Sequence, residues 1–409
     1  MFGILWGVMS VVILSATGEG FQRGNQHVLD ELGKNIGIVW PGRTSLQAGG
    51  ERAGRQLQFT VEDARLLERE SRYIAVVSAE IQRGGIRVKS AHNAAALNVH
   101  GVEPQYQAIR TLDVEEGRGF REQDNRAAHR VAIIGADVAR QLFGDRRSVG
   151  QPISIHGLPF TVIGRLRKKD QDSNYSGPDN DKVFVPFETM ARDLPRTGVD
   201  KGVISQLIVT PRPWVVEQLP GVLDRRTGRL EDIDWPLERE VRRVLALRHG
   251  FDPADRNAIA MWDTTLQSLM FGRMIQTMKD FFTVVGLVTL ALGGIGVMNI
   301  MLVAVGERTR EIGVRKALGA TTRQISRQFF LEGFILTLGS GAVGFLLALG
   351  LCAAVNTLPM PARFQGMILT WQAGTYAVLA LVGVGVLTST YPARRAAKLP
   401  PVEALRFES

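Results

Sequence analysis

Four apolar stretches, separated by polar sequence, dominate the pattern along the chain. They cover residues 2–17, 281–305, 329–355 and 371–390. Each of the last three can cross about 30 Å of hydrocarbon as a helix that rises about 1.5 Å per residue. The first stretch is short for a membrane span, so a cleavable signal peptide competes with an uncleaved helix there. Because no Lys or Arg precedes Phe2, the sequence favours the uncleaved helix, and we predict four transmembrane helices.

The basic residues of the short loops predict the orientation of these helices. Most of them lie between the second and third stretches (Arg308, Arg310, Arg315, Lys316, Arg323, Arg327) and after the fourth (Arg394, Arg395, Lys398, Arg406). The loop between the third and fourth stretches contains only Arg363. Because Lys and Arg are retained on the cytoplasmic side, both termini are expected inside and the large polar insert outside. The net charge of +9 is therefore read as membrane orientation rather than nucleic-acid binding.

The polar insert has the pattern of an α+β domain. Thr60-Val61-Glu62-Asp63 resembles a capping box that opens a helix to Arg69. Further helices are predicted over 136–143 and 236–247. Short strands are predicted over 73–82, 85–89, 95–101, 131–134, 153–155, 160–165, 183–185 and 258–262, where Ile and Val are separated by Gly and Pro.

The insert shows no arrangement of residues typical of an enzyme. The six histidines are scattered, without the spacing of a metal site: His27, His92, His100, His129, His156 and His249. Gly339-Ser340-Gly341 lies inside an apolar stretch, where helix packing explains it better than a nucleophile elbow. The single cysteine, Cys352, also lies in an apolar stretch and is interpreted as a core residue. We therefore expect no catalysis, metal or cofactor in this chain.

Residues 264–280 can form a helix that continues into the second apolar stretch. Leu266, Met270, Met274 and Met278 recur at helical spacing, and the segment contains no proline. Such a stalk, about 25 Å long, can transmit movement between the outer domain and the membrane. An ordinary connecting helix with a methionine-rich packing face explains the pattern equally well.

The most informative segment follows the second apolar stretch. It contains Glu307, Arg308, Arg310, Glu311, Arg315 and Lys316 beside the apolar residues Ile312, Val314 and Leu318, and Gly319 supplies a helix stop. The pattern predicts a short amphipathic helix. From these residues alone, a docking helix and a solvated charge run that obeys the positive-inside bias are equally compatible.

The string of residues 307–320, ERTREIGVRKALGA, resembles the cytoplasmic loop of the MacB/FtsX-like ABC transporter permease family. The tail over 392–406 and the short motifs at 99–102, 117–120, 131–135 and 142–144 also resemble that family, so the similarity covers nearly the whole chain. The resemblance implies that the loop docks on a cytoplasmic ABC ATPase, which binds the ATP and Mg²⁺. Glu307, Arg308, Arg310, Glu311, Arg315 and Lys316 then become the candidate ATPase contacts.

The resemblance also implies the wider assembly. Family members work as dimers in the bacterial inner membrane and couple ATP hydrolysis to movement of the outer domain, which is called mechanotransmission. Members with such a domain often pair with a periplasmic adaptor and an outer-membrane duct. The expected function is efflux or export of a hydrophobic compound, a peptide or a lipoprotein, by a homodimer or a heterodimer with a related permease. The alternatives are a force transmitter that controls an external partner such as a cell-wall hydrolase, and a membrane-anchored enzyme or receptor.

Four features depart from the family pattern or from a purely apolar membrane segment. The chain contains no Gly-x-x-x-x-Gly-Lys-[Ser/Thr] loop, so the ATPase is expected on a separate polypeptide, and the amphipathic segment that precedes the first helix in the family is missing. Pro400 stands where the family usually has an acidic residue. Glu332 lies inside the third apolar stretch near its cytoplasmic start, where it can reach the interface or pair with Arg323 or Arg327, and we favour such a structural role over one in transport.

The predicted architecture is a four-helix membrane part with an α+β extracytoplasmic domain. In chain order the divisions are a first transmembrane helix (1–18), the outer domain (19–263), a stalk (264–280), the second transmembrane helix (281–305), the coupling loop (306–328), the third transmembrane helix (329–355), an external loop (356–370), the fourth transmembrane helix (371–391) and a cytoplasmic tail (392–409).

Overall fold

A computed structural model describes residues 2–33, 35–169, 175–195, 202–224, 235–361 and 363–400, with the backbone alone for 220–224. The chain divides into two compact units, one of Met1–Asn25 with Phe271–Ser409 and the other of Gln26–Met270. We call them the membrane unit and the outer unit. Of the tail predicted over 392–409, residues 401–409, including Arg406, lie outside the described residues.

The helices and strands alternate irregularly through the outer unit and give way to helices alone after it. The helices are α1 (Phe2–Leu32), α2 (Val61–Glu70), α3 (Tyr106–Ile109), α4 (Glu122–Arg126), α5 (Ala136–Phe143), α6 (Phe187–Asp193), α7 (Pro213–Asp224), α8 (Pro236–His249), α9 (Thr264–Glu307), α10 (Thr309–Ala317), α11 (Thr322–Val355) and α12 (Trp371–Lys398). The strands are β1 (Gly37–Pro41), β2 (Phe59–Thr60), β3 (Ile74–Lys89), β4 (Ala94–Val102), β5 (Val114–Gly117), β6 (Val131–Ile134), β7 (Pro152–Ile155), β8 (Leu158–Leu166), β9 (Lys182–Pro186), β10 (Val203–Ile204), β11 (Gln206–Pro211) and β12 (Ile259–Asp263).

One mixed sheet organises the outer unit. Its strand order is β12-β1-β11-β3-β4-β9-β6-β8-β5, and β7 pairs with both β3 and β8. The pairs β4–β9 and β6–β8 are parallel, and the other pairs in this sheet are antiparallel. Strands β2 and β10 form a separate small ribbon. The outer unit is therefore an α+β domain, as the sequence predicts.

Both faces of this sheet are covered. Along β9, Val183 and Val185 belong to a large apolar cluster on one face, whereas Phe184 between them belongs to a second cluster on the other. Val39 and Ile38 of β1 divide between the same two clusters. Because successive side chains of a strand point to opposite faces, a strand buried on both sides has a continuous apolar run instead of an alternating one.

The structure confirms most of the predicted elements and corrects two features. Helix α5 has the predicted bounds, and Asp63 Oδ2 accepts a hydrogen bond from the backbone N–H of Thr60 at 2.7 Å, as the predicted capping box requires. The strands predicted over 73–82 and 85–89 are a single strand, β3, with a shift of register between Arg83 and Ile86. Strands β1, β2, β5, β10 and β11 and helices α3, α4, α6 and α7 were not predicted, although β11 lies between β1 and β3 in the sheet.

Among the residues that the structure describes, four helices are long and apolar enough to cross a membrane: α1, α9, α11 and α12. Helix α9 has 44 residues, so the continuous helix predicted from residue 264 into the second apolar stretch is confirmed. Helix α1 continues to Leu32, and α12 continues through Pro392 to Lys398. Cys352 is buried within α11, as expected.

Glycines allow the first two helices to approach closely. A Cβ atom added to Gly3 would lie 2.9 Å from Cα of Gly293, so the backbones of α1 and α9 are in direct contact there. Further along the pair, the ammonium group of Lys279 lies 3.0 Å from a carboxylate oxygen of Glu19. Close backbone contact at small residues is the usual basis of helix association in lipid.

Candidate functional site

Helix α10 is a short helix held between two turns. At its start, the hydroxyl group of Thr309 donates a hydrogen bond to the carbonyl oxygen of Gly306 at 2.7 Å. After its end, Gly319 has a φ of +100°, which glycine adopts without strain. Thr321 then begins α11 with a capping box in which its backbone N–H donates to Oε1 of Gln324 at 2.8 Å. Local sequence therefore fixes both turns, and the predicted short helix is confirmed.

The apolar residues of α10 are divided between the interior and the surface. Ile312 is buried in the apolar core of the membrane unit together with Val305, Ile325 and Phe329. Val314 is 42% exposed, and Leu318, just after the helix, is 83% exposed. From the sequence, Ile312, Val314 and Leu318 are expected to form one apolar set. Of these three side chains, Ile312 packs against the membrane helices, and Val314 and Leu318 remain available to a partner.

Four of the six candidate ATPase contacts, Arg308, Glu311, Arg315 and Lys316, are engaged within the membrane unit. Arg315 contacts Oε1 of Glu311 at 2.6 Å and Oε1 of Gln328 at 2.7 Å. Arg308 lies 3.2 Å from Glu332. The ammonium group of Lys316 donates to the carbonyl oxygens of Ala397 and Leu399 at 2.5 and 2.8 Å.

Lys316 therefore has an internal role that the sequence did not indicate. The last carbonyl groups of a helix have no partner inside that helix, and a cation at the C-terminal end satisfies them and interacts favourably with the helix dipole. Lys316 supplies this cation to α12. Glu307 and Arg310 are exposed, and neither has an ion-pair partner within 4.0 Å among the residues described.

The expected partner of Glu332 was wrong. Its carboxylate pairs with Arg308, which precedes α10, rather than with Arg323 or Arg327 of its own helix. The two charged groups are 3.2 Å apart, and the side chain of Arg308 is 47% exposed and that of Glu332 34%. An exposed ion pair contributes little stability, so its main effect is to hold the start of α10 against α11.

Buried hydrogen bonds fasten the far ends of α1 and α9 within the outer unit. At the end of α1, the guanidinium group of Arg110 donates to the carbonyl oxygen of Leu32, and the ammonium group of Lys169 donates to that of Glu31 at 2.8 Å. At the start of α9, the backbone N–H of Thr264 donates to the carbonyl oxygen of Ile36 at 2.9 Å. Both helix ends are thus hydrogen-bonded within the outer unit to partners far away in sequence.

A fully buried charge cluster surrounds Asp179. Arg110 contacts this carboxylate with two bonds of 3.0 and 3.2 Å, Lys182 lies at 3.0 Å and Lys169 at 3.4 Å. Burial alone would raise the pKa of Asp179, but the three cations outweigh it and hold that pKa well below its ordinary value. Buried charges are stable only when they are paired in this way.

A second buried group continues from this cluster. Burial raises the pKa of Glu80, but hydrogen bonds from His100 and Tyr175 and the charge of Lys182 lower it to about 2 overall. Burial is also the main reason that the pKa of His100 is lowered. A neutral imidazole fits the geometry, because Nδ1 lies 2.5 Å from Glu80 whereas Nε2 has no partner among the described residues.

Comparison with known proteins identifies the family. Residues 1–219, more than half of the chain, match the MacB-like periplasmic core domain, and residues 283–401 match the FtsX-like permease C-terminal region. The chain belongs to the MacB/FtsX-like ABC transporter permease family. This family assignment agrees with the four candidate membrane helices and the α+β outer unit.

The relatives of this permease differ in how much additional sequence they contain. The chain is 30% identical over its whole length to the macrolide export ATP-binding/permease protein MacB of Bdellovibrio bacteriovorus, and it spans 59% of that protein. It is 29% identical to the uncharacterized ABC transporter permease YknZ of Bacillus subtilis, of which it spans 94%. The chain thus spans little more than half the length of the MacB relatives it matches.

Two solved structures resemble the outer part of this permease. The periplasmic region of MacB from Actinobacillus actinomycetemcomitans is 17% identical, with a TM-score of 0.42, and the match covers 59% of this chain and 94% of that one. The extracellular domain of YknZ from Gram-positive bacteria is 20% identical, with a TM-score of 0.41, and the match covers 56% of this chain and 100% of that one.

Proposed function

We propose that this permease couples ATP hydrolysis by a cytoplasmic ABC ATPase to movement of its extracytoplasmic domain, for export of a hydrophobic compound, a peptide or a lipoprotein. The observation that carries the proposal is the continuity of α9. This helix begins at Thr264, beside strand β12 of the outer unit, and ends at Glu307, one residue before the turn into α10. Its 44 residues are about twice the number needed to cross a bilayer.

The surface of α10 supports docking on an ATPase. Exposed Val314 and Leu318 supply an apolar anchor, and the exposed charges of Glu307 and Arg310 supply a polar rim around it. An apolar centre with a polar rim is the usual composition of a protein–protein contact. In this proposal both termini lie in the cytoplasm, ATP and Mg²⁺ bind the ATPase, and the permease acts as a dimer, with an adaptor and an outer-membrane duct as further partners.

The match to a MacB-like periplasmic core domain favours export over the alternative of a force transmitter for a cell-wall hydrolase. In either role, movement has to pass between α10 and the outer domain. The hydrogen bonds that fasten α1 at Leu32 and α9 at Thr264 support such transmission, because rigid attachment lets a helix displacement reach the sheet.

The test is to remove the exposed leucine that follows α10. Leu318→Ser is expected to weaken binding of the cognate ATPase about tenfold and to abolish the effect of the permease on its turnover, because a central apolar anchor contributes about 1.4 kcal/mol or more. The fold should be unaffected, since Leu318 is 83% exposed. Binding and ATP turnover are measured with the full chain in lipid nanodiscs.

The matched control is Leu247→Ser. Leu247 is 77% exposed and lies in α8 of the outer unit, so its replacement should leave ATPase binding unchanged. Arg310→Glu tests the rim and should weaken binding less than Leu318→Ser. Unchanged affinity and turnover with Leu318→Ser would refute the contact through α10. Failure of the unaltered permease to bind any cytoplasmic ABC ATPase would refute the coupling function.

A further inference from the structure

A cavity of about 570 Å³ in the outer unit is lined mainly by charged side chains. Three separate parts of the chain form it: the β5–β8 edge of the sheet, helix α5 with the loop that follows it, and the segment after β8. Its six cationic residues are Arg140, Arg146, Arg147, Arg165, Arg167 and Lys168, and its acidic residues are Glu115, Glu116 and Asp145. We call this cavity the basic groove.

The acidic side chains neutralise only part of the basic groove. Four of the six cations lie within 4.0 Å of a carboxylate: Arg165 pairs with Glu115 and Glu116, Arg147 with Glu116, Arg140 with Asp137 and Arg167 with Asp113. Arg146 and Lys168 are exposed, and neither has a carboxylate within 4.0 Å among the residues that the structure describes. The positive-inside bias does not account for these cations, because they lie in the periplasmic core domain and not in a cytoplasmic loop.

Two residues that line the groove also carry buried donors without partners. The hydroxyl group of Ser148 is buried, with the residue 2% exposed, and it has no hydrogen-bond partner in the described part of the chain. Nε of Arg165 is also buried and makes no hydrogen bond there, although a carboxylate oxygen of Glu116 lies 3.8 Å from it. A buried donor without an acceptor costs free energy, so a ligand that brings acceptor oxygens would recover part of it.

We infer that the basic groove binds a phosphate-bearing ligand. Guanidinium groups match the oxygens of a phosphate with paired, charge-assisted hydrogen bonds, and five of the six cations are arginines. The volume is within the range of small-molecule sites, which leaves room for the ester group attached to a phosphate. A lipid headgroup and a soluble phosphate ester share this chemistry. The inference goes beyond the coupling function, because binding here requires neither ATP nor the ATPase.

The test is calorimetric titration of the full chain in a neutral detergent at low salt, without ATPase or nucleotide. The probes are glycerophosphoglycerol, the water-soluble headgroup of an anionic phospholipid, and inorganic pyrophosphate. Glycerophosphocholine and citrate serve as zwitterionic and carboxylate controls. Low salt is needed because exposed charges are screened over about 10 Å at 0.1 M ionic strength.

Two variants locate the binding. Arg146→Gln and Lys168→Gln remove exposed cations that have no carboxylate partner, so folding should be unaffected, and each should weaken binding of the phosphate probe about tenfold. Arg126→Gln is the matched control, because the side chain of Arg126 is 80% exposed and lies in α4, outside the groove. It should leave the affinity unchanged.

The outcomes separate the two sources and decide the inference. Saturable binding of glycerophosphoglycerol that both groove variants weaken supports a lipid headgroup, whereas the same result with pyrophosphate alone supports a soluble phosphate ester. Absence of saturable binding by either probe overturns the inference and leaves the groove as a solvated charged surface. Equal binding of citrate or glycerophosphocholine overturns it too, as does binding that neither groove variant weakens.

Discussion

From the charge cluster around Asp179 we predict a specific loss of stability of the outer unit when its charge balance is changed. In Asp179→Asn the side-chain volume is kept and the negative charge is lost, which leaves Arg110, Lys169 and Lys182 buried without their common anion. Arg110 and Lys182 are completely buried, and Lys169 is 7% exposed. Removing one partner of a buried ion pair typically costs about 3–5 kcal/mol.

The reverse substitution should cost much less. Lys182→Met removes one of three cations and leaves Asp179 with Arg110 and Lys169, and burial already lowers the pKa of Lys182. We expect a loss of about 1 kcal/mol, since replacement of a buried charge by an apolar group of similar volume is often close to neutral. In Asp179→Asn, the added Lys182→Met should restore stability, because it removes a cation that has lost its partner.

Hydrogen–deuterium exchange of the full chain in detergent measures these effects. Exchange of the β9 amides should accelerate roughly a hundredfold to a few thousandfold in Asp179→Asn, since each 1.4 kcal/mol changes an opening constant tenfold. In Lys182→Met it should accelerate less than about tenfold, and the double variant should fall between the two. If Asp179→Asn exchanges within about threefold of the unaltered chain, or if the double variant exchanges faster than Asp179→Asn, the reasoning is refuted.

Two further predictions follow from close contacts and from pKa shifts. Gly20→Ala should lower the free energy of unfolding of the membrane unit by about 1–3 kcal/mol, and with it the melting temperature. The reason is that the new Cβ would lie 1.7 Å from the carbonyl oxygen of Gly366. A Cβ atom added to Gly339 would have no neighbour within 4 Å, so Gly339→Ala should leave the melting temperature unchanged. Equal melting temperatures of the two variants would contradict the close packing at Gly20. Burial lowers the pKa of His100 below its ordinary value of about 6.5. Neutral His100 therefore contributes fully to the stability of the folded state above about pH 6.5, and this contribution is lost as the pH falls. Exchange of the β4 amides should therefore accelerate from pH 7 to pH 5, after correction for the intrinsic rate, whereas His100→Gln should flatten this dependence. Glu80 has a pKa of about 2 in the folded chain, below its ordinary value of 4.5. As the pH falls below about 4.5, the unfolded chain therefore takes up a proton at Glu80 before the folded chain does, which should destabilise the same strand further.

The sequence by itself determined the features that depend on neighbours along the chain. Four apolar stretches predicted four membrane helices, because length and apolar content alone decide whether a helix can cross a bilayer. Helix α5 was predicted with its observed bounds, since Gly135 and Gly144 flank its apolar period. The turn after α10 was visible at Gly319 for the same local reason.

Only the tertiary structure decided which distant groups meet. Strand β11 pairs with β1 and β3, whose sequences precede it by more than a hundred residues, and no local signal specifies such pairing. The sequence predicted cations near Glu332, but the cation that pairs with it, Arg308, lies just before α10 and comes close only through the fold. Lys316 was expected as an ATPase contact, and only the fold brings its ammonium group to the carbonyl oxygens at the end of α12. Helical period and capping act over a few residues, whereas these contacts depend on how the whole chain is folded, which a local pattern does not contain.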